Sequence, residues 1–275
     1  MMNSIRVLVI GAAGRMGREV VRAVHAQEDM DLVAAVDRSR VGEDAADVAG
    51  LEAVSVPISD SLTKTIAQSS PDVAVDFTLP EAVMPNARTA VKARVAAVVG
   101  ATGLTAQNLE ELAALCKDHQ TPCLVAPNFA IGAVLMMQFA AEAAKHFGSA
   151  EIIELHHPGK LDAPSGTALR TAQLMALCRA GSPCPAAPPV AGSPDLAVPT
   201  SPARGQAEAG IPIHSVRLPG LIAHQEVILG GLGQTLTIRH DSTSRESFMP
   251  GVLLAIRKVR SLQGLVVGLE KLLWL

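Results

Sequence analysis

Residues 5 to 10, Ile-Arg-Val-Leu-Val-Ile, run directly into Gly-Ala-Ala-Gly-Arg-Met-Gly at 11 to 17, after which Val20, Val21 and Val24 recur at helical spacing. An apolar strand, a glycine turn and a helix in immediate succession admit few folds. Gly11 permits the tight turn, Gly14 lets the backbone approach a pyrophosphate, and Gly17 lets the helix lie close on the sheet. A glycine-rich turn alone says little; its weight comes from a second strand, Leu32-Val33-Ala34-Ala35-Val36, ending in Asp37-Arg38. An acid placed there meets the ribose hydroxyls of a dinucleotide. Gly11, Ala12, Ala13, Gly14, Arg15 and Met16 are therefore candidates for the phosphates, and Asp37 and Arg38 for the ribose. An aspartate favours the free 2′-hydroxyl of NAD, whereas an arginine beside it pairs with the 2′-phosphate of NADP, so NADH and NADPH are both expected to bind.

The pattern continues with strand-like runs at 73–77, 95–99 and 123–126, separated by helical stretches at 60–68, 81–93 and 105–118. This alternation predicts an α/β fold, a Rossmann-like doubly wound parallel sheet with helices on both faces. After a helical stretch at 132–146 the rhythm changes. Strands at 150–156, 213–218, 222–229 and 235–241, interrupted by one helix at 166–179, predict a second α+β domain with a mixed or antiparallel sheet. Residues 182–206 carry seven prolines, which predicts an extended loop with few backbone hydrogen bonds. A final helical stretch has apolar residues at Val252, Leu253, Ile256 and Val259.

The segment at 154–168 reads Glu-Leu-His-His-Pro-Gly-Lys-Leu-Asp-Ala-Pro-Ser-Gly-Thr-Ala. Glu151 to His157 alternates as a half-buried strand does, and Pro158 ends it by removing a backbone donor. Ser165 is a good N-cap, and Ala168, Leu169, Ala172, Leu174, Met175 and Leu177 form an apolar stripe. A helix beginning there offers the amides of Gly166 and Thr167 at its positive end, and Lys160 adds a full charge, which makes a site for a small anion. Adjacent strand residues point to opposite faces, so His156 and His157 share one pocket only if the strand twists or ends between them. Read alone, the paired histidines are also compatible with a structural role, and Lys160 with a solvated one. No third ligand at a suggestive spacing points to a metal. Gly100, Ala101 and Thr102 follow one strand, and Ala126, Pro127, Asn128 and Phe129 another, at the edge where ligands bind; the plainer reading of the first is a strand-to-helix turn. His224, His240 and Arg245 are equally compatible with core or interface positions.

A net charge of −3 and scattered basic residues argue against a nucleic-acid partner. No run approaches the roughly 18 apolar residues of a membrane span, and the apolar run before Gly11 is short for a secretory signal. A soluble cytoplasmic protein is expected. Cys116, Cys123, Cys178 and Cys184 show no C-x-x-C spacing and read as reduced thiols.

Taken together, the motifs at 11–17 and 154–168 resemble those of the dihydrodipicolinate (4-hydroxy-tetrahydrodipicolinate) reductases of lysine biosynthesis. Further matches are Asp76-Phe77-Thr78, Gly100-Ala101-Thr102-Gly103, Asn128-Phe129, His224-Gln225-Glu226-Val227 and Leu236-Thr237-Ile238-Arg239-His240. The resemblance spans nearly the whole chain. It implies a discontinuous dinucleotide-binding domain at 1–128 and 247–275, enclosing a substrate-binding and oligomerisation domain at 129–246. The proline-rich loop then belongs to the substrate domain and to subunit contacts; a spacer is the plainer reading. The resemblance also implies NAD(P)H-dependent reduction of a small dicarboxylate, with His156 exchanging a proton, Lys160 as a second proton donor, and His157 contacting substrate. The backbone of Gly166 and Thr167 is assigned to a substrate carboxylate, Gly100 to Thr102 to the nicotinamide, and the assembly is a homotetramer. Three positions depart from the family's usual pattern: Pro158 and Gly159 replace larger polar residues, Ala101 stands where threonine is common, and Gln234 where glutamate is. The alternatives are another NAD(P)-dependent dehydrogenase of amino-acid metabolism, which would lack the 156–167 segment, and a non-catalytic nucleotide-binding protein, which would have lost His156 or Lys160.

Overall fold

Val7, Leu8 and Val9, Val73 to Val75, and Val98 and Val99 have at most 1% of their surface exposed, as parallel strands covered on both faces must. In the computed structural model, which describes residues 4–100, 103–180 and 202–273, these runs form the middle of a seven-stranded sheet. The strands are β1 (Ile5–Ile10), β2 (Met30–Val36), β3 (Ile58–Ser59), β4 (Val73–Asp76), β5 (Ala96–Val99), β6 (Cys123–Val125), β7 (Ser149–His156), β8 (Gln206–Glu208), β9 (Ile211–Arg217), β10 (Ala223–Gly231), β11 (Gln234–Ser242) and β12 (Leu265–Val267).

Two compact units share them: Met1–Ile131 with Phe248–Leu275, and Gly132–Ser247. The first holds a wholly parallel sheet of order β12-β6-β5-β4-β1-β2-β3. The helices Pro80–Lys92 and Ala106–His119 pack together, and Arg15–His25 packs with Met249–Val259. This is the doubly wound Rossmann-type architecture, and its strand order reverses between β1 and β4. The second unit holds a mixed sheet of order β11-β10-β7-β9-β8, in which β7 and β9 are parallel and the other pairs antiparallel. The helix Gly166–Ala180 closes one face, burying Ala168, Ala172 and Met175 with Ile152, Ile211, Ile213, Val227 and Leu229.

The strand through the histidines stops at His156, at the end of the expected 150–156 run, leaving His157 beyond it. Other details differ from the sequence reading. Leu177, assigned to the buried stripe, is 66% exposed, because a fully buried Thr171 shares the inward face with residues 168, 172 and 175. Gln206, assigned to the proline-rich loop, opens β8; residues 182–201 of that loop, and Cys184, lie outside the described residues. Cys116, Cys123 and Cys178 are free thiols. β3, β8 and β12 have two or three residues each, too few to show a period.

Candidate active site

Four strands of the first unit end in the turns marked by the sequence. The amide of Gly11 donates to Val36 O (2.7 Å), Phe77 to Ile10 O (3.2 Å), Gly100 to Asp76 O (2.8 Å) and Ala126 to Val99 O (3.0 Å). Each exit from the sheet is thereby fixed on its neighbour, along the carboxyl edge that flanks the reversal of strand order. Gly11 has φ +83°, and a Cβ on Gly17 would lie 1.9 Å from the Gly11 oxygen, so the helix Arg15–His25 is seated on the turn by the absence of a side chain. Gly14 is its N-cap and carries no capping group, which leaves first-turn amides at the positive helix end without intrahelical partners. Gly14 and Arg15 are exposed and Met16 is half-buried, whereas Gly11, Ala12 and Ala13 are buried.

The Asp37 carboxylate accepts from Ala13 N (3.0 Å) and from the amide and hydroxyl of Ser39 (2.8 Å each). Arg38 is exposed and has no ion pair among the described residues. A bare helix start, a carboxylate and an open guanidinium fit the pyrophosphate, ribose and 2′-phosphate of a nicotinamide dinucleotide. A Cβ on Gly100 would fall 2.2 Å from the Phe77 ring, which in turn meets Phe129 at a centroid distance of 5.6 Å. The buried Asp76 carboxylate sets this turn through Thr78 N (2.8 Å), Thr78 Oγ1 (2.6 Å) and Asn86 Nδ2 (3.0 Å). Burial pushes its pKa up, and those bonds offset part of the rise. Asn128 accepts the Ala130 amide at 2.9 Å, and Pro127 is exposed. Ala101 and Thr102 lie outside the described residues.

In the second unit the inward residues of β7 are Ala150, Ile152 and Glu154. An acid in that row needs partners, because an isolated buried charge is expensive. Glu154 has no exposed surface; its Oε2 lies 2.5 Å from His156 Nδ1, and Arg217, the last residue of β9, grips both carboxylate oxygens at 2.8 and 2.9 Å. Burial alone would raise the Glu154 pKa, but the bonds from His156, Arg217 and Ser215 outweigh it and bring it to about 2. Beyond His156 the chain turns at the exposed Pro158 and Gly159, closed by Lys160 N on His157 O (3.1 Å). Lys160 Nζ meets both oxygens of Asp162 at 2.8 Å, and that bond holds the Asp162 carboxyl below its usual range. Ser165 Oγ takes the Ala168 amide (3.2 Å), and Gly166, exposed, and Thr167, half-buried, open the helix ahead of it.

His156, His157, Lys160, Gly166 and Thr167 thus lie along one strand end, one turn and one helix start of a single unit. The candidates in the first unit, Gly11 to Met16, Asp37, Arg38, Gly100 and Ala126 to Phe129, lie along one sheet edge. Two further residues escape the sequence reading. Glu154 is visible in hindsight as an acid in an otherwise apolar inward row, whereas Arg217 stands 63 residues away and has no local signal. Of the uncertain histidines, His224 bonds Asp241 on the neighbouring strand at 2.6 Å, and His240 lies against Gly132. Among the described residues no cluster of three or more His, Cys, Asp or Glu suits a metal, and no helix is long and apolar enough to cross a membrane.

Comparison with known proteins gives matches along the whole chain. Residues 5–129 match the family model described as dihydrodipicolinate reductase, N-terminus, and residues 132–273 its C-terminus counterpart. The 4-hydroxy-tetrahydrodipicolinate reductase of Moorella thermoacetica is 54% identical, covering 99% of each chain. That of Gloeobacter violaceus is 51% identical, over 98% of this chain and all of the relative. Among solved structures, a dipicolinate-bound dihydrodipicolinate reductase from Paenisporosarcina sp. TG-14 superposes with a TM-score of 0.83 at 44% identity, over 98% of this chain and 99% of that one.

Proposed function

The chain belongs to the dihydrodipicolinate reductase family, and on that premise we propose that it reduces 4-hydroxy-tetrahydrodipicolinate to tetrahydrodipicolinate with NADPH or NADH, in the diaminopimelate route to lysine. The net change consumes one hydride and one proton and releases the substrate hydroxyl as water. The single observation that supports the reading is that His156, Lys160 and the exposed start of the helix Gly166–Ala180 belong to one strand end, one turn and one helix start that follow one another in the same unit. A nicotinamide, when bound, supplies the hydride. The residues of the chain then have three tasks. Gly166 and Thr167 hold one substrate carboxylate on their amides, where the helix end favours negative charge. Lys160 exchanges its bond to Asp162 for the substrate and gives it a proton, while His157 contacts the ring. His156 delivers or accepts the proton that follows electron density around the ring, the work for which imidazole is suited near neutral pH.

The first unit is the dinucleotide-binding domain in this reading, with Gly11 to Met16 on the pyrophosphate, Asp37 and Arg38 on the ribose, and Gly100 to Thr102 and Ala126 to Phe129 beside the nicotinamide. The exposed Arg38 supports NADPH, and Asp37 supports NADH. By family likeness the protein is a cytoplasmic homotetramer joined through the second unit's sheet. The test is oxidation of NADPH and NADH with freshly condensed aspartate semialdehyde and pyruvate. Wild type turns over, and His156→Ala and Lys160→Ala each lose about 10²- to 10⁴-fold in kcat. A folded wild type that binds nucleotide but leaves this substrate untouched overturns the reading.

A further inference from the structure

We infer that Glu154 and Arg217 are positioning residues of this reaction: Arg217 ties together the strand end that carries His156 and the turn that carries Lys160, and Glu154 fixes which imidazole nitrogen of His156 exchanges the proton. The assignment deepens the reductase reading and rests on it.

A guanidinium has five N–H groups and no acceptor. In Arg217, Nε donates to Lys160 O (3.2 Å), Nη1 to Glu154 Oε2 (2.9 Å) and Val216 O (2.8 Å), and Nη2 to Glu154 Oε1 (2.8 Å) and Asp162 O (2.6 Å). All five are engaged inside the protein, so Arg217 has nothing left to offer a substrate carboxylate. Its planar fork holds two things at once: the buried carboxylate on β7, and the carbonyls on either side of Leu161. The segment it grips carries Lys160, whose charge would otherwise ride on a turn with an exposed Pro158 and Gly159.

An ionised carboxylate can only accept, so Glu154 Oε2 at 2.5 Å requires the proton on His156 Nδ1. Nε2 is then the ring atom that gains and loses the catalytic proton. The neutral ring is thereby held in the tautomer that free histidine favours less, and only because a carboxylate lies behind it. Glu154 has no exposed surface, so water cannot substitute for it. Neither residue touches substrate in this scheme; both act through His156 and Lys160.

In Glu154→Gln the same donor count decides how the side chain sits. Arg217 still supplies only donors, so it claims the amide oxygen and turns the amide NH₂ toward His156. Nδ1 must then become the acceptor, and the neutral ring flips to the Nε2–H form. In Arg217→Lys a point charge replaces the fork, so the carbonyls of Lys160 and Asp162 lose their common anchor.

The experiment uses the full-length protein with ¹⁵N-labelled histidine, His156 being assigned by its loss in His156→Asn. In wild type at alkaline pH, two-bond correlations should show His156 as the Nδ1–H tautomer, and in Glu154→Gln as the Nε2–H tautomer. Steady-state assays should show kcat down about 10- to 100-fold in Glu154→Gln and in Arg217→Lys, with KM for the substrate within about threefold and NADPH affinity unchanged. The two losses should combine less than multiplicatively in the double variant, as expected of one network. A wild-type His156 in the Nε2–H form overturns the inference outright, whether or not either variant folds. So does kcat within twofold of wild type in folded variants, or a loss confined to KM. A wild type that does not turn over the substrate sinks the reductase reading instead, and the tautomer measurement still decides this one.

Discussion

The candidate sites of the two units are built from different materials. Around the turn at 11–17 of the first unit, the features that fit a pyrophosphate are backbone amides and missing side chains: Gly11 at φ +83°, Gly14 with no cap, and Gly17 with no room for a Cβ. Around His156 and Lys160 in the second unit, ionised side chains are instead clamped on one another, Glu154 on Arg217 and His156, and Lys160 on Asp162. The difference is one of vulnerability. A backbone-built site fails by collision and is indifferent to protons, whereas a charge-built site tolerates changes of shape at its margins and fails when a proton is added.

The strongest test of the first unit's candidate site is Gly17→Ala. A Cβ 1.9 Å from a backbone oxygen forces the helix off its turn, and we expect a loss of about 4 kcal/mol in stability, measured by urea denaturation, with nucleotide affinity falling about 100-fold. If affinity survives, the helix is not seated by that glycine.

The second test is acid. The Glu154 pKa in the folded protein, about 2, lies below its ordinary 4.5, so its stabilising contribution is fully present above pH 4.5 and disappears as pH falls toward 2. The loss across that window should be roughly 3 kcal/mol. The opening equilibrium of β7 and β9, taken from hydrogen exchange after division by the intrinsic rate at each pH, should rise in wild type between pH 5 and 3. In Glu154→Gln it should start higher and stay flat; equal slopes in the two proteins would remove Glu154 as the acid-sensitive element.

A smaller effect is expected at Arg38. Arg38→Ala should weaken NADPH about 10-fold, the loss of one charge-assisted contact, and leave NADH within twofold; equal weakening of both cofactors would place the side chain elsewhere. The smallest is Gly166→Ala. Nothing lies within 4 Å of a Cβ at this position, so thermal unfolding should shift by no more than about 0.5 kcal/mol, in contrast to Gly17 at the other helix start.

The same contrast explains what the amino-acid sequence reveals. Backbone-built features are local: the glycines, the strand before them and the helix after them fall within some twenty positions, so both spacing and purpose are legible. The segment from His156 to Thr167 is equally continuous, and its strand, turn and helix start read correctly. Arg217 does not, because its tie to Glu154 depends on the parallel pairing of β7 with β9, and no local spacing encodes which distant strand will become a neighbour. Leu177 fails for a related reason. Hydrophobicity names a candidate for burial, but the inward arc of the helix is settled by what packs on it, and Thr171 holds its place there by serving Gln225 at 2.8 Å. β3, β8 and β12 are written by their neighbours, not by their own residues.

The first unit is interrupted at Ile131 and resumes only at Phe248, and this sets a timetable for the nascent chain. β6 waits with one rim of its backbone unpaired until Leu265–Val267 arrives to take up the parallel register on Cys123, Leu124 and Val125. Gly132–Ser247 is contiguous and carries every strand of its own sheet, so it depends on nothing that follows it in the chain. On the ribosome, the half that begins first is therefore the half that finishes last.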